Sequence, residues 1–177
     1  MFSFVGDTIL DPFAGTGSTA IAALESLSPG SKRGEVLEIA GATILNDSYN
    51  SNPEALRSMI GTLASRPAQR RILVAGEMLE MGTHAEAAHA ACGKAAAEAG
   101  IDLVVGVRGN AQHLAAAACW GGTASIFLPD AQNAGEWLAK HIQPGDVVLI
   151  KGSRGVQLER AIEVLKDQIA IASSESQ

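Results

Sequence analysis

The 177-residue sequence predicts an α/β fold: a Rossmann-like three-layer domain with a mostly parallel sheet and an N-terminal βα appendage. Short β-branched runs alternate with alanine-rich stretches of helical length, the pattern of a parallel sheet covered by helices. Hydrophobic residues make up 47% of the chain, enough to build a buried core and to exclude wholesale disorder. The length suits one ordinary domain with an appendage, since domains cluster at roughly 100–150 residues.

Strands are expected at 8–10, 35–39, 43–46, 71–75, 103–107, 125–128 and 147–150, the last four buried on both faces. The 35–39 and 43–46 runs, joined by Ala40-Gly41-Ala42, read as a hairpin at the sheet edge. Pro53 opens a helix with Asn52 as its N-cap and Leu56, Met59, Ile60 and Leu63 on one face. Residues 85–99 form a small-residue helix stopped by Gly100, a natural left-handed cap. Asp130 caps the helix carrying Trp137 and Leu138, and Pro144-Gly145 stops it. A last helix runs over about 156–171. The loop-forming stretch Pro29-Gly30-Ser31-Lys32-Arg33-Gly34 places a boundary near 22–30. The expected division is 1–27 as a βα fragment, 28–172 as the main domain and 173–177 as a frayed tail.

Thirteen Lys and Arg stand against 19 Asp and Glu, for a formal net charge of −6. That balance disfavours a broad grip on phosphate backbones, and 4% aromatic residues leave little for base stacking, so no nucleic-acid partner is expected. Cys92 and Cys119 lie far apart without metal-ligand spacing and read as small hydrophobes in a reducing cytosol, with no metal site. The N-terminus lacks a basic region followed by an apolar run, and no stretch reaches the roughly 18 apolar residues of a membrane span. A cytoplasmic protein with no membrane partner is the expectation.

The stretch Asp11-Pro12-Phe13-Ala14-Gly15-Thr16-Gly17-Ser18 follows a strand and leads into a helix, which would present backbone N–H groups to an anion or nucleotide-like ligand. Over about the first 24 residues it resembles the cofactor loop of the S-adenosylmethionine-dependent DNA amino-methyltransferases. Those enzymes also need an Asp/Asn/Ser-Pro-Pro-Tyr/Phe tetrapeptide to hold the flipped base, and the chain contains none. The expectation is that these glycines serve the turn and that S-adenosylmethionine is not a cofactor. A methyltransferase remnant that binds it, or an inactive chimeric domain, stands as the alternative.

Asn46-Asp47-Ser48-Tyr49-Asn50-Ser51-Asn52-Pro53 concentrates polar groups between a strand end and a helix start. Gly76-Glu77-Met78-Leu79-Glu80-Met81-Gly82 and Lys151-Gly152-Ser153-Arg154-Gly155 also follow strands. With parallel strands, all three loops open on one edge of the sheet, where open α/β sheets bind ligands. Together with Lys32-Arg33-Gly34-Glu35-Val36 and His89, these motifs resemble the C-terminal domain of the Mur ligases over about residues 25–168, most nearly that of the D-alanyl-D-alanine-adding members.

The resemblance implies the mobile lid of a three-domain, ATP-dependent peptidoglycan-precursor ligase. In such an enzyme the carboxylate of UDP-MurNAc-tripeptide attacks the γ-phosphate of ATP to give an acyl phosphate, from which the amine of D-Ala-D-Ala displaces phosphate to form the amide. By position, Arg33 would be the catalytic cation that offsets charge at the γ-phosphate. Asp47 would accept from the ribose, with Tyr49, Asn50 and Asn52 near the adenine and ribose. Glu77, Met78, Lys151, Ser153 and Arg154 would face the incoming dipeptide, and His89 would pack or orient a loop. The chain departs from the family pattern at Asn46, Ser51 and Glu77, where Asp, Ala and Asp are usual. No Gly-x-x-Gly-Lys-Thr/Ser phosphate loop occurs in it. ATP is therefore the expected cosubstrate, Mg²⁺ would come from a domain absent here, and the isolated chain is expected to be inactive.

Overall fold

The computed structural model describes residues 34–175. The strand expected at 8–10, the glycine loop after it and Arg33 lie outside the described residues. The described part is built from β1 (Glu35–Ile39), β2 (Ala42–Asp47), α1 (Pro53–Ala64), β3 (Arg70–Gly76), α2 (Ala85–Glu98), β4 (Leu103–Val107), α3 (Ala111–Trp120), β5 (Ala124–Leu128), α4 (Ala131–His141), β6 (Asp146–Lys151) and α5 (Glu159–Glu175). Short 3₁₀ turns at Gly82–His84 and Arg154–Val156 precede α2 and α5.

The six strands form one sheet in the order β1-β2-β6-β3-β4-β5. Only the β1–β2 pair is antiparallel, and it is the edge hairpin that the sequence predicts. The pairs β2–β6, β6–β3, β3–β4 and β4–β5 are parallel, so the carboxyl ends of β2 to β6 share one edge.

Successive side chains on a strand point to opposite faces, and the two cores follow that period. Ile44, Ile72, Val74, Val148 and Ile150 pack with Leu138 of α4 and Ala161, Ile162 and Leu165 of α5. Their neighbours Leu45, Leu73, Ala75, Val147 and Leu149 pack with α1 (Leu56, Ile60, Leu63), α2 (Cys92, Ala96) and α3 (Leu114, Ala118). The result is three layers with the sheet between two sets of helices. No helix among the described residues is long and apolar enough to cross a membrane.

Three expectations need correction. β5 is not buried on both faces: it is the sheet edge, and Phe127 is 42% exposed. The last helix starts at Glu159 and continues to Glu175, past the expected end at Ile171. Finally, α3 has no counterpart among the expected helices. Its preceding residue Asn110 sits in helical backbone and makes no side-chain cap. The cap comes from another element, because Glu77 Oε1 accepts from the Asn110 backbone N–H at 3.0 Å.

Helices α2 and α3 approach so closely that a Cβ on Gly93 would lie 2.0 Å from Leu114 O, a backbone atom that cannot rotate away. Overpacking of this kind costs about 1–3 kcal/mol and outweighs the roughly 1 kcal/mol that alanine gains over glycine within a helix. Gly61, in α1, has nothing within 4 Å of a Cβ. In urea denaturation Gly93→Ala is therefore expected to lower the midpoint and Gly61→Ala to raise stability by about 0.5–1 kcal/mol. A Gly93→Ala midpoint at or above wild type would contradict the close-packed α2–α3 contact.

Candidate functional site

Asp47 ends β2, Lys151 ends β6, and the two are register partners on adjacent strands. Lys151 Nζ donates to Asp47 Oδ2 at 2.5 Å and to Asn50 O at 2.8 Å. The Lys151 side chain is 3% exposed while that of Asp47 is 20% exposed. A buried ammonium needs compensation on the spot, and here the carboxylate and a loop carbonyl supply it. The pair thus anchors the turn after β2 to the sheet and leaves the outer side of the Asp47 carboxylate facing the edge.

Beside this pair lies a cavity of about 260 Å³, whose walls include Tyr49, Asn50, Ser51, Glu80, Ser153 and Arg154. The Ser51 hydroxyl is buried and has no hydrogen-bond partner among the described residues. Such a group is costly unless something satisfies it, and the Ser48 hydroxyl in the same turn is unpartnered too. The Arg154 guanidinium lies 5.5 Å from the centre of the Tyr49 ring. Leu79 N–H donates to Ser153 Oγ at 3.0 Å, tying the loop after β3 to the loop after β6. Glu80 holds a left-handed φ of 65°, which is uncommon for a residue other than glycine and clusters at functional sites.

The loop after β3 is held from behind by His89 of α2, which is fully buried. Its Nε2 accepts from Met78 N–H at 2.8 Å, so the ring proton belongs on Nδ1, which donates to Ala85 O at 2.6 Å. Burial holds this imidazole below its usual basicity, joined by the charge of His113 and opposed by the Ala85 carbonyl and Glu77. The neutral ring orients a loop, as the sequence suggests.

The residues expected at the site separate into groups. Asp47, Tyr49, Asn50, Ser153 and Arg154 gather at the edge. Asn52 spends its side chain on the N-cap of α1, accepting from Ala55 N–H at 2.8 Å. Met78 does not line the cavity: it is 1% exposed and packs in the core beneath α1 and α2, because the Met78–His89 bond turns it inward. Lys151 does not offer a free cation to a dipeptide, since Asp47 and Asn50 consume it. Glu77 faces away from this cavity, toward Asn110 and Arg108. Sequence reasoning missed Leu79, Glu80 and Arg108. Leu79 and Glu80 lay inside a motif it did quote, but no local signal marks the left-handed backbone at Glu80 or at Arg108.

The sequence pattern described as Mur ligase, glutamate ligase domain matches residues 32–154. The chain belongs to the Mur ligase family. It is 33% identical over 150 residues to the UDP-N-acetylmuramoyl-tripeptide–D-alanyl-D-alanine ligase of Mycobacterium leprae, covering 74% of the chain and 29% of that protein. Against the enzyme of the same name from Escherichia coli it is 35% identical over 136 residues, covering 70% and 27%. Among solved structures, the MurF ligase of Thermotoga maritima in complex with ADP superimposes with a TM-score of 0.68 at 28% identity, covering 83% of this chain and 33% of that one. MurF from Acinetobacter baumannii gives 0.71 at 25% identity, covering 82% and 33%. This Mur ligase chain spans about 29% and 27% of the two relatives' lengths, and its fold is that of the MurF C-terminal domain.

Two outcomes follow from the pinned groups. Because His89 is less basic folded than unfolded, the unfolded chain binds the extra proton first as pH falls below about 6.5. Its contribution is complete above that pH and is lost on acidification, so stability is expected to fall between pH 7 and 5, with a shallower slope in His89→Gln. An unchanged slope would contradict the buried neutral ring. Asp47→Ala leaves a buried ammonium without its counter-ion and is expected to cost about 3 kcal/mol, more than Lys151→Met, whose carboxylate partner can reach water. The reverse order in urea titration would contradict the asymmetric burial of the pair.

Proposed function

We propose that the chain is the nucleotide- and acceptor-binding domain of an ATP-dependent ligase that adds D-Ala-D-Ala to UDP-MurNAc-tripeptide during peptidoglycan-precursor synthesis. One observation carries this reading: the cavity at the shared carboxyl edge, with Tyr49, Asn50 and Ser51 in its wall and Asp47 held beside it through Lys151 and Asn50. A carboxylate suits the ribose hydroxyls, a half-exposed phenol ring suits the base, and a buried hydroxyl suits a sugar or phosphate oxygen. Membership of the Mur ligases and the ADP complex of the Thermotoga maritima relative support the same ligand class.

In this reading ATP supplies the phosphoryl group that activates the tripeptide carboxylate. Asp47 receives the ribose, held at a fixed height by Lys151, and Asn50 and Tyr49 border the base. Asn52 shapes the approach by capping α1. Arg33 carries the permanent charge suited to a transferring phosphoryl group. Arg154 and Ser153 border the acceptor, and Glu77 acts by holding Asn110 and Arg108. The described residues contain no cluster of His, Cys, Asp or Glu able to hold a metal, and we assign the Mg²⁺ that accompanies ATP to other parts of the ligase.

Calorimetry on the full chain tests the reading. ADP is expected to bind and raise the Tm, and Asp47→Asn, which keeps an acceptor for Lys151, is expected to weaken ADP about tenfold, in line with the loss of a charge-assisted hydrogen bond. Stabilisation by S-adenosylmethionine with none by ADP would overturn the reading in favour of the methyltransferase-like loop. Without a phosphate loop, the 177-residue chain alone is expected to show no ATP-dependent ligation.

A further inference from the structure

A second cavity, of about 340 Å³, opens at the carboxyl ends of β4 and β5 and shares Gly155 with the first. Its walls include Arg108, Asp130, Gln132, Gln157 and Arg160. Arg108 holds φ at 68°, a left-handed backbone that an arginine adopts only at a cost, and the surrounding structure enforces it. Arg108 N–H donates to Leu128 O at 2.9 Å, and its Nη1 donates to Gly155 O at 2.6 Å. Its side chain is still 49% exposed, with Glu77 no nearer than 3.9 Å. Arg160 Nε donates to a neutral acceptor, Gln132 Oε1, at 3.2 Å.

The charge in this cavity is unbalanced. Among the described residues lining it, Asp130 alone carries a carboxylate, set against two guanidinium groups. Asp130 Oδ1 is already committed, accepting from Asn133 N–H at 2.8 Å and Asn133 Nδ2 at 2.9 Å as the cap of α4. The start of α4 is thereby closed by its own side chain and is not the anion donor here. Across Gly155, one of the two cations expected to face the acceptor, Lys151, is buried against Asp47.

We propose that Arg108 and Arg160 form the subsite for the terminal carboxylate of a short peptide acceptor, a conclusion that rests on the acceptor-binding reading above. Two planar forks with donors to spare match a carboxylate, and a dipeptide spans roughly 7 Å when extended, enough to carry its amine past Gly155 toward Arg154 and the first cavity. The subsite selects for a free carboxylate over a neutral C-terminus, because an amide adds no anion to a cavity that sets two guanidinium groups against one committed carboxylate.

NMR titration of the full chain with D-Ala-D-Ala, its C-terminal amide and inorganic phosphate tests the assignment. Arg108→Gly, which suits the left-handed backbone, and Arg160→Gln are each expected to weaken D-Ala-D-Ala about tenfold, with ADP affinity unchanged in Arg160→Gln. The amide is expected to bind wild type as weakly as the free dipeptide binds either variant. The proposal is overturned if both variants bind the dipeptide as wild type does, if only Arg154→Gln weakens it, if phosphate competes with equal affinity, or if wild type binds no dipeptide with or without ADP. ADP binding without dipeptide binding sinks this proposal alone, whereas loss of ADP binding in wild type sinks the nucleotide reading.

Discussion

The strand β6 is locked at both ends by ion pairs between register partners, and the rest of the domain is arranged around it. At its amino end Asp146, 1% exposed, receives a two-pronged hydrogen bond from Arg70 of β3, at 2.9 Å to Oδ1 and 2.6 Å to Oδ2. At its carboxyl end Lys151 meets Asp47 of β2. Between them lie four buried aliphatic residues, Val147 to Ile150, that alternate between the two cores. A slip of one residue would send each to the wrong face and leave two buried charges unpaired, so register is specified twice over. The Asp146 hydrogen bond also holds the Arg70 guanidinium above its usual basicity, against the opposing effect of burial.

Fixing β6 fixes the carboxyl edge of the sheet. Loops following parallel strands are independent unless something joins them, and here each is tied to a neighbour. Lys151 holds the turn after β2 through Asn50 O, Ser153 holds the loop after β3 through Leu79 N–H, and Arg108 holds the loop after β6 through Gly155 O. His89 braces the β3 loop from the opposite side, and Glu77 braces the start of α3. These ties use polar groups that a sequence motif presents as ligand-binding residues. Several quoted residues therefore act through others: they hold in place the few groups that line the cavities at this edge.

That division explains how far the sequence could be read. The sheet, the edge hairpin and the helices α1 and α4 were legible because their signals are local: alternating aliphatic runs, Pro53 after Asn52, and Asp130 ahead of its helix. The α3 helix was not, because its cap is Glu77, which lies 33 residues away in sequence. Likewise, the motif around Lys151 lies at the carboxyl edge of the sheet, as parallel strands require, but could not reveal that Asp47 neutralises the ammonium, a pairing made across 104 residues. The inward turn of Met78 depends on a histidine one helix away, and the second cavity depends on residues just after β4 and at the starts of α4 and α5 that no motif links.

In the reading proposed above, the Asp47–Lys151 pair sets up a nucleotide-binding edge at the carboxyl ends of β2, β3 and β6. Mapping backbone amide shifts in the isotopically labelled chain during an ADP titration tests it most directly. Saturable shifts are expected, concentrated at residues 47–52 and 151–154 with Ser51 among them. Shifts confined to residues 8–19 or to the helix at 131–141, or no shifts at millimolar ADP, would contradict it.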